Sequence, residues 1–442
     1  MCKFSKKIFH FPLVDWIFFV PLRAFLCKNN IKTTKRSTLK LSKMNIIKRI
    51  YCRTFQAAFH AAIPLLPYNY PEVHNSIDEI PSILQKQGID TVLFVTDQGL
   101  VKAGLAKMIE DVLSNAGITY RTYSDTVPNP TIDNVEAARQ MYVDIHAQAF
   151  IALGGGSAMD CAKAAAVRIA RPNKTIPQMR GILKVHHKLP PLIAIPTTAG
   201  TGSETTVAAI VTDAEKHYKY MVSDFCLIPP YAIHDYRLTT GLPKHITATT
   251  GMDALTHAVE AYIGGSTTSE TRRAAEEATR LIHDYLYRAY LNGNDAEARQ
   301  KMLYASYCAG IAFSKSYVGY VHAVAHSLGG KYGTPHGLAN SILLPKVLRY
   351  YGESAHKRLA RLARRSGVVA KGMDDKATAN LFIDWIQDMN DKMSIPHTIS
   401  ELRIEDIPEM AAHANAEGNP LYPVPMLMNK RELENLYKLV VA

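Results

Sequence analysis

At 442 residues the chain is too long for one small core, so two domains are the default, and 47% hydrophobic with 20% charged residues excludes extensive disorder. The formal charge of +12 suggests a polyanionic partner, but residues 1–53 hold thirteen Lys and Arg against Asp15 alone, and the remaining 38 basic and 38 acidic residues cancel. A neutral body excludes a nucleic-acid face. The six cysteines show neither C-x-x-C nor paired spacing, which fits free thiols in a reducing compartment and argues against thiolate zinc.

Residues 1–43 read as a leader or dispensable extension. Their apolar run from Ile8 to Leu26 is broken by Pro12, Asp15, Pro21 and Arg23, short of the ~20 residues a spanning helix needs. No small-residue cleavage site follows, and Met44 opens a segment that looks like an ordinary start. No membrane partner is expected. The cytoplasm is the expected compartment, with an organellar address in this segment as the alternative.

From about Pro71 strands alternate with helices. Ile89 to Asp97, Ile118 to Ser124, Ala149 to Leu153 and Pro191 to Pro196 read as strands; Ile132 to Ala147 and a run from the Gly154 turn to about Ile169 read as helices. That rhythm predicts a parallel sheet covered on both faces. After about Tyr236 only helical periodicities follow: Met252 to Ile263, Ser269 to Asn292, Ala296 to Phe313, Tyr320 to Leu328, then Leu338 to the end. The first of these reads as a short amphipathic helix stopped by Gly264-Gly265. The predicted class is therefore α/β followed by all-α, with boundaries at 44–236 and 237–442.

Two loops at strand ends carry ligand chemistry. In Gly154-Gly155-Gly156-Ser157 the missing side chains let an anion approach the backbone at a helix N-terminus, and a pyrophosphate would fit. A plain helix cap made by Ser157 with Asp160 explains the same residues equally well. Thr197-Thr198-Ala199-Gly200-Thr201 is an ordinary loop alone, but two such loops on neighbouring strands mark the edge where open α/β sheets bind ligands. Asp97, at that edge, suits ribose hydroxyls and repels a 2′-phosphate, favouring NAD over NADP.

The strongest signal is a set of Asp and His. Asp253 and His257 lie four apart and share a helix face, as do His322 and His326, and His336 follows Thr334-Pro335, which reads as an N-cap and a proline at the first helical position. At such an N-terminus the helix dipole keeps His336 neutral, as a ligand must be. Any single histidine is more often a surface or core residue. As a group, one carboxylate and three imidazoles from three helix segments can close around a divalent cation.

These motifs resemble those of the iron-containing (group III) alcohol dehydrogenases. Gly154 to Ser157 with Asp160 and Lys163, Thr197 to Thr201, Thr250 to Glu260, and His322 through Gly337 all agree, and the match runs from about Met44 to the C-terminus. The resemblance implies a Rossmann-like dinucleotide domain, a helical metal-binding domain of dehydroquinate synthase-like architecture, and catalysis in the cleft between them. It implies Asp253, His257, His322 and His336 as metal ligands and His326 as a non-ligand histidine for proton transfer. It places NAD against Asp97, Asn129, Gly155, Gly156, Ser157, Asp160, Thr197, Thr198, Thr201, Lys219 and Leu238. One Asp and three His suit Fe(II) or Zn(II), and the family name tilts the choice to iron.

The implied reaction is hydride transfer between NAD(H) and a small primary alcohol or aldehyde, in a homo-oligomer of two or more copies. Polyol or glycerol dehydrogenases and sugar-phosphate cyclases of the same architecture are the rivals. An aromatic and apolar wall read at Phe313, Tyr317, Val318, Tyr320 and Val321 favours the small alcohol.

Overall fold

The computed structural model describes residues 44–215 and 218–442; the reading of 1–43 lies outside them. Among the described residues nine strands form two sheets: β1 Glu72–His74, β2 Thr91–Val95, β3 Thr119–Tyr123, β4 Ala149–Gly154, β5 Gly181–Ile182, β6 Leu192–Pro196, β7 Ala208–Asp213, β8 Tyr218–Ser223 and β9 Tyr231–Ile233. The larger sheet has the order β1-β9-β6-β4-β2-β3, and all its pairs are parallel. The second sheet, β5-β8-β7, contains an antiparallel hairpin that the strand–helix rhythm does not announce.

The helices of this half are α1 Ile46–Ala62, α2 Ile80–Lys86, α3 Gln98–Lys102, α4 Leu105–Asn115, α5 Ile132–Asp144 and α6 Gly156–Ala170. Alternation along the strands supplies both faces: Leu93, Val95, Phe150 and Ala152 enter one apolar cluster, and Val92, Phe94, Ile151 and Leu153 enter the other. The four predicted strands appear as β2, β3, β4 and β6: β2 and β3 are trimmed at both ends, β6 begins one residue later and β4 ends one residue later than expected.

From residue 244 onward the described regular elements are helical: α7 Lys244–Ile263, α8 Ser269–Leu291, α9 Ala296–Ser316, α10 Tyr320–Tyr332, α11 His336–Tyr351, α12 Glu353–Arg365, α13 Asp375–Lys392, α14 Ile407–Gly418 and α15 Lys430–Lys438, with a short 3-10 turn before α14. α1 belongs with them in space. Cys52 enters their core, and Arg53 donates to the carbonyls of Val424 and Pro425 at 2.8 and 2.9 Å. Among the described residues no helix is long and apolar enough to cross a membrane.

α7 corrects the amphipathic expectation. Every residue from Gly251 to Ile263 is buried, because α8, α9 and α11 enclose the helix on all sides. That enclosed stretch has no solvent face on which polar residues could be idle. Asp253, His257 and Glu260 inside it must therefore find partners.

Candidate metal centre

α7 presents Asp253 and His257, α10 presents His322, and α11 presents His336 at its first turn. One ligand atom from each of the four lies within 4.8 Å of the others. Asp253, His257 and His322 are buried; the His336 side chain is 39% exposed and forms the open side. The α11 start differs by one residue from expectation: Pro335 is the N-cap, His336 is the first helical residue, and the buried Thr334 hydroxyl has no partner. His336 still sits at the positive end of the helix.

The electrostatics keep the imidazoles neutral. Burial and three neighbouring histidines hold His322 well below its usual value; burial lowers His257 against the pull of Asp253; and burial brings His336 down to about 4. Neutral imidazoles and one carboxylate are what a divalent cation requires. His322 Nδ1 is 2.6 Å from Glu260 Oε2, which leaves Nε2 for the cluster. Glu260 also accepts from the backbone N–H groups of Gly319 and Val321 at 2.9 and 2.8 Å, while burial pushes it up to about 7.

Two observations show that the residues fit a cation. Asn340 Nδ2 lies 2.7 Å from Asp253 Oδ1, 3.0 Å from His336 Nε2 and 3.2 Å from His322 Nε2, so the donors converge on one point. His257 Nδ1 and Asn340 Oδ1 are buried without hydrogen-bond partners. Phe313 stacks on His257 with ring centroids 4.1 Å apart.

His326 stands beside the cluster. Its ring stacks on His336 at 5.1 Å, and Nδ1 lies 2.6 Å from Glu417 Oε1. Burial alone would lower its pKa, but the charge and hydrogen bond of Glu417 raise it. Glu260, Asn340 and Glu417 are the residues that sequence reasoning did not single out. Only Glu260 lay inside a quoted motif.

The expected dinucleotide residues gather at the sheet edge. Gly155 caps α6 with no side-chain bond, so the helix N-terminus is open to an anion. A methyl placed on Gly155 would come within 3.4 Å of Thr198 Oγ1, and one on Gly156 within 3.4 Å of Thr201 Cγ2, so the two loops lie side by side at this edge. Thr197 lies in the same loop, its N–H bonded to the Gly154 carbonyl at 3.0 Å. Asp97 caps α3, Oδ1 accepting from Leu100 N at 3.0 Å, and its Oδ2 is 3.8 Å from where a Gly154 Cβ would stand.

The Ser157 and Asp160 cap does not form. Ser157 Oγ accepts from Asn129 N at 3.2 Å, while Asp160 accepts from Ser203 Oγ and Ile210 N, both at 3.0 Å. Asp160 thus braces the second loop. Lys219 Nζ donates to Asn129 Oδ1 at 2.8 Å and lies 3.8 Å from the Cβ position of Gly329 on α10, which bridges the two halves. Leu238 is 1% exposed in the core under the sheet. The aromatic wall is smaller than expected. Tyr320 and Val321 are fully buried, and the Tyr320 hydroxyl is held by Asn419 and Met428, so Phe313, Tyr317 and Val318 remain.

Comparison with known proteins agrees with this geometry. Residues 70–236 match the profile of the iron-containing alcohol dehydrogenases, and residues 247–441 match the C-terminal profile of the Fe-containing alcohol dehydrogenase family. Alcohol dehydrogenase 4 of Schizosaccharomyces pombe is 35% identical over 380 residues, covering 83% of this chain and 88% of that protein. The 1,3-propanediol dehydrogenase of Citrobacter freundii is 35% identical over 382 residues, covering 85% and 98%. The crystal structure of a 1,3-propanediol oxidoreductase superposes with a TM-score of 0.80 at 34% identity, covering 84% of this chain and 98% of that one. With profiles spanning both halves and relatives matched over nearly their whole length, the chain belongs to the iron-containing alcohol dehydrogenase family.

Proposed function

We propose that the protein is a metal-dependent, NAD-linked alcohol dehydrogenase acting on small primary alcohols and aldehydes. The observation that carries this reading is the convergence of Asp253, His257, His322 and His336. Asp253 and the three imidazoles would hold the cation, Fe(II) by family and Zn(II) by intrinsic affinity. When bound, the cation supplies Lewis acidity toward an alcohol or aldehyde oxygen, and the nicotinamide supplies the hydride acceptor or donor. Glu260 orients His322, and Asn340 holds Asp253 by donating from Nδ2 to Oδ1.

The dinucleotide would lie along the sheet edge, its pyrophosphate over Gly155, Gly156 and Ser157 and flanked by Thr197, Thr198 and Thr201. Asp97 would take the ribose hydroxyls, and Asn129 with Lys219 would close the groove toward α10. Asp160 and Leu238 would act from beneath, as a loop brace and a floor. His326, 41% exposed, reaches both the cluster and solvent and would carry the proton. The residual wall of Phe313, Tyr317 and Val318 suits a small, weakly polar substrate.

The functional division falls near residue 236, with α1 added to the helical half, and a homo-oligomer is the expected assembly. The test is NADH formation across a panel of alcohols and diols, with NADP as the comparison cofactor. Turnover with primary alcohols and NAD supports the reading; no turnover in either direction with metal-loaded protein rejects it.

A further inference from the structure

Glu417 comes from the last turn of α14, 91 residues downstream of the histidine it meets. Its Oε1 is 2.6 Å from His326 Nδ1 and accepts from the Tyr422 hydroxyl, also at 2.6 Å. Both contacts fall on one oxygen, so the carboxylate cannot turn without giving up both. The following segment is itself anchored, because Asn419 accepts from the Tyr320 hydroxyl at 2.8 Å and Met428 N donates to the same hydroxyl oxygen at 3.0 Å. Tyr320 is the first residue of the helix that carries His322 and His326. The C-terminal segment and the histidine helix therefore form one hydrogen-bonded unit that delivers a carboxylate to the ring edge of His326.

We propose that Glu417, held by Tyr422, is a positioning residue for the reaction: it fixes the rotation of His326 and its Nδ1–H tautomer, leaving the Nε2 lone pair to receive the substrate proton. An imidazole not held this way divides between two tautomers and several rotations, and only some of these accept at Nε2. The inference rests on the dehydrogenase reading above. In the oxidative direction the alcohol carbon gives a hydride, with its two electrons, to NAD+, and the hydroxyl proton passes to Nε2 as the carbonyl forms. The imidazolium then returns that proton to water at the exposed edge of the ring.

The experiment compares wild type, Glu417→Ala, Glu417→Gln, His326→Ala and the double variant Glu417→Ala/His326→Ala. Steady-state kinetics with NAD and a primary alcohol, metal content and NADH binding are measured on each. We expect Glu417→Ala to lower kcat about tenfold or more, with KM for NAD and metal content near wild type. Glu417→Gln, whose amide oxygen still accepts from Nδ1–H, should recover most of the loss. On the His326→Ala background the Glu417→Ala change should cost nothing further. Wild-type kcat in Glu417→Ala, or the same fractional loss with and without His326, overturns the proposal.

A second readout needs no turnover. The nitrogen-15 shifts of His326 should report an Nδ1-protonated ring in wild type and mixed tautomers in Glu417→Ala, with Tyr422→Phe in between; identical spectra overturn the proposal. If wild type turns over no alcohol or aldehyde, the dehydrogenase reading fails, and these shifts still decide whether Glu417 positions the ring.

Discussion

Two of the proposed metal ligands are held by a second residue, His322 by Glu260 and Asp253 by Asn340, and these supports are where single substitutions bite. Glu260 accepts from two backbone N–H groups and from His322, so Glu260→Gln should weaken metal binding about 10–100-fold while the fold persists. Equilibrium dialysis would measure it, and unchanged affinity would contradict the orienting role. Acid should also act on the metal-free protein. The folded state holds His257, His322 and His336 below their usual values, His336 at about 4, whereas the unfolded chain takes up protons near pH ~6.5. Between those limits the unfolded state binds more protons, so stability is lost as pH falls from about 6.5 toward 4. Urea midpoints at pH 7 and 5 should show this, and His336→Gln should flatten the slope. The i, i+4 spacing made Asp253 and His257 readable from sequence. The same spacing at His322 and His326 did not tell ligand from neighbour, because that depends on where α11 brings His336. Glu417 was out of reach for a stronger reason: it arrives through tertiary packing, with no local pattern to mark it.

At the scale of elements, small residues let the two halves approach, and one buried lysine pins a loop of the sheet half that meets the helices. Lys163 Nζ donates to the carbonyls of Ser203, Thr206 and Ala208 and to the Thr206 hydroxyl, pinning the loop that follows Thr201. Lys163→Met leaves those acceptors bare, at about 1–3 kcal/mol for each one that finds no water. We expect a lower unfolding midpoint and weaker NADH binding, and unchanged binding would detach this loop from the dinucleotide. Gly310 on α9 faces Gly202 and Thr205, and a methyl there would strike the Thr205 side chain and come within 3.1 Å of the Gly202 carbonyl oxygen. Gly310→Ala should cost about 1–3 kcal/mol by thermal or urea unfolding. Strands β2, β4 and β6 could be read because two-sided burial writes continuous apolar runs, and the edge strand β3, Thr-Tyr-Arg-Thr-Tyr, because its residues favour strands. The β7–β8 hairpin and α1 could not. The first interrupts the alternating rhythm, and the second packs onto helices distant in sequence, so its own pattern does not say where it lies.

For the whole molecule, the charge excess resides in residues 1–53, and every residue assigned to the site lies between Asp97 and Tyr422. Deleting residues 1–43 should leave dehydrogenase turnover unchanged, and a loss of kcat would show that this segment serves the site. The two halves meet where chemistry needs them to meet. A methyl on Gly200, in the loop that follows β6, would strike Thr250 on α7, and Lys219 Nζ lies 3.8 Å from the Cβ position of Gly329 on α10. The central claim is that a cation held by Asp253, His257, His322 and His336 works on a substrate beside a dinucleotide held by the sheet. Its most direct test is metal content, NADH binding and NADH formation from primary alcohols, measured together on wild type and His322→Ala. The account predicts one bound metal and turnover in wild type, and in the variant loss of both with NADH binding retained; a metal-free variant that still oxidises alcohol would contradict it.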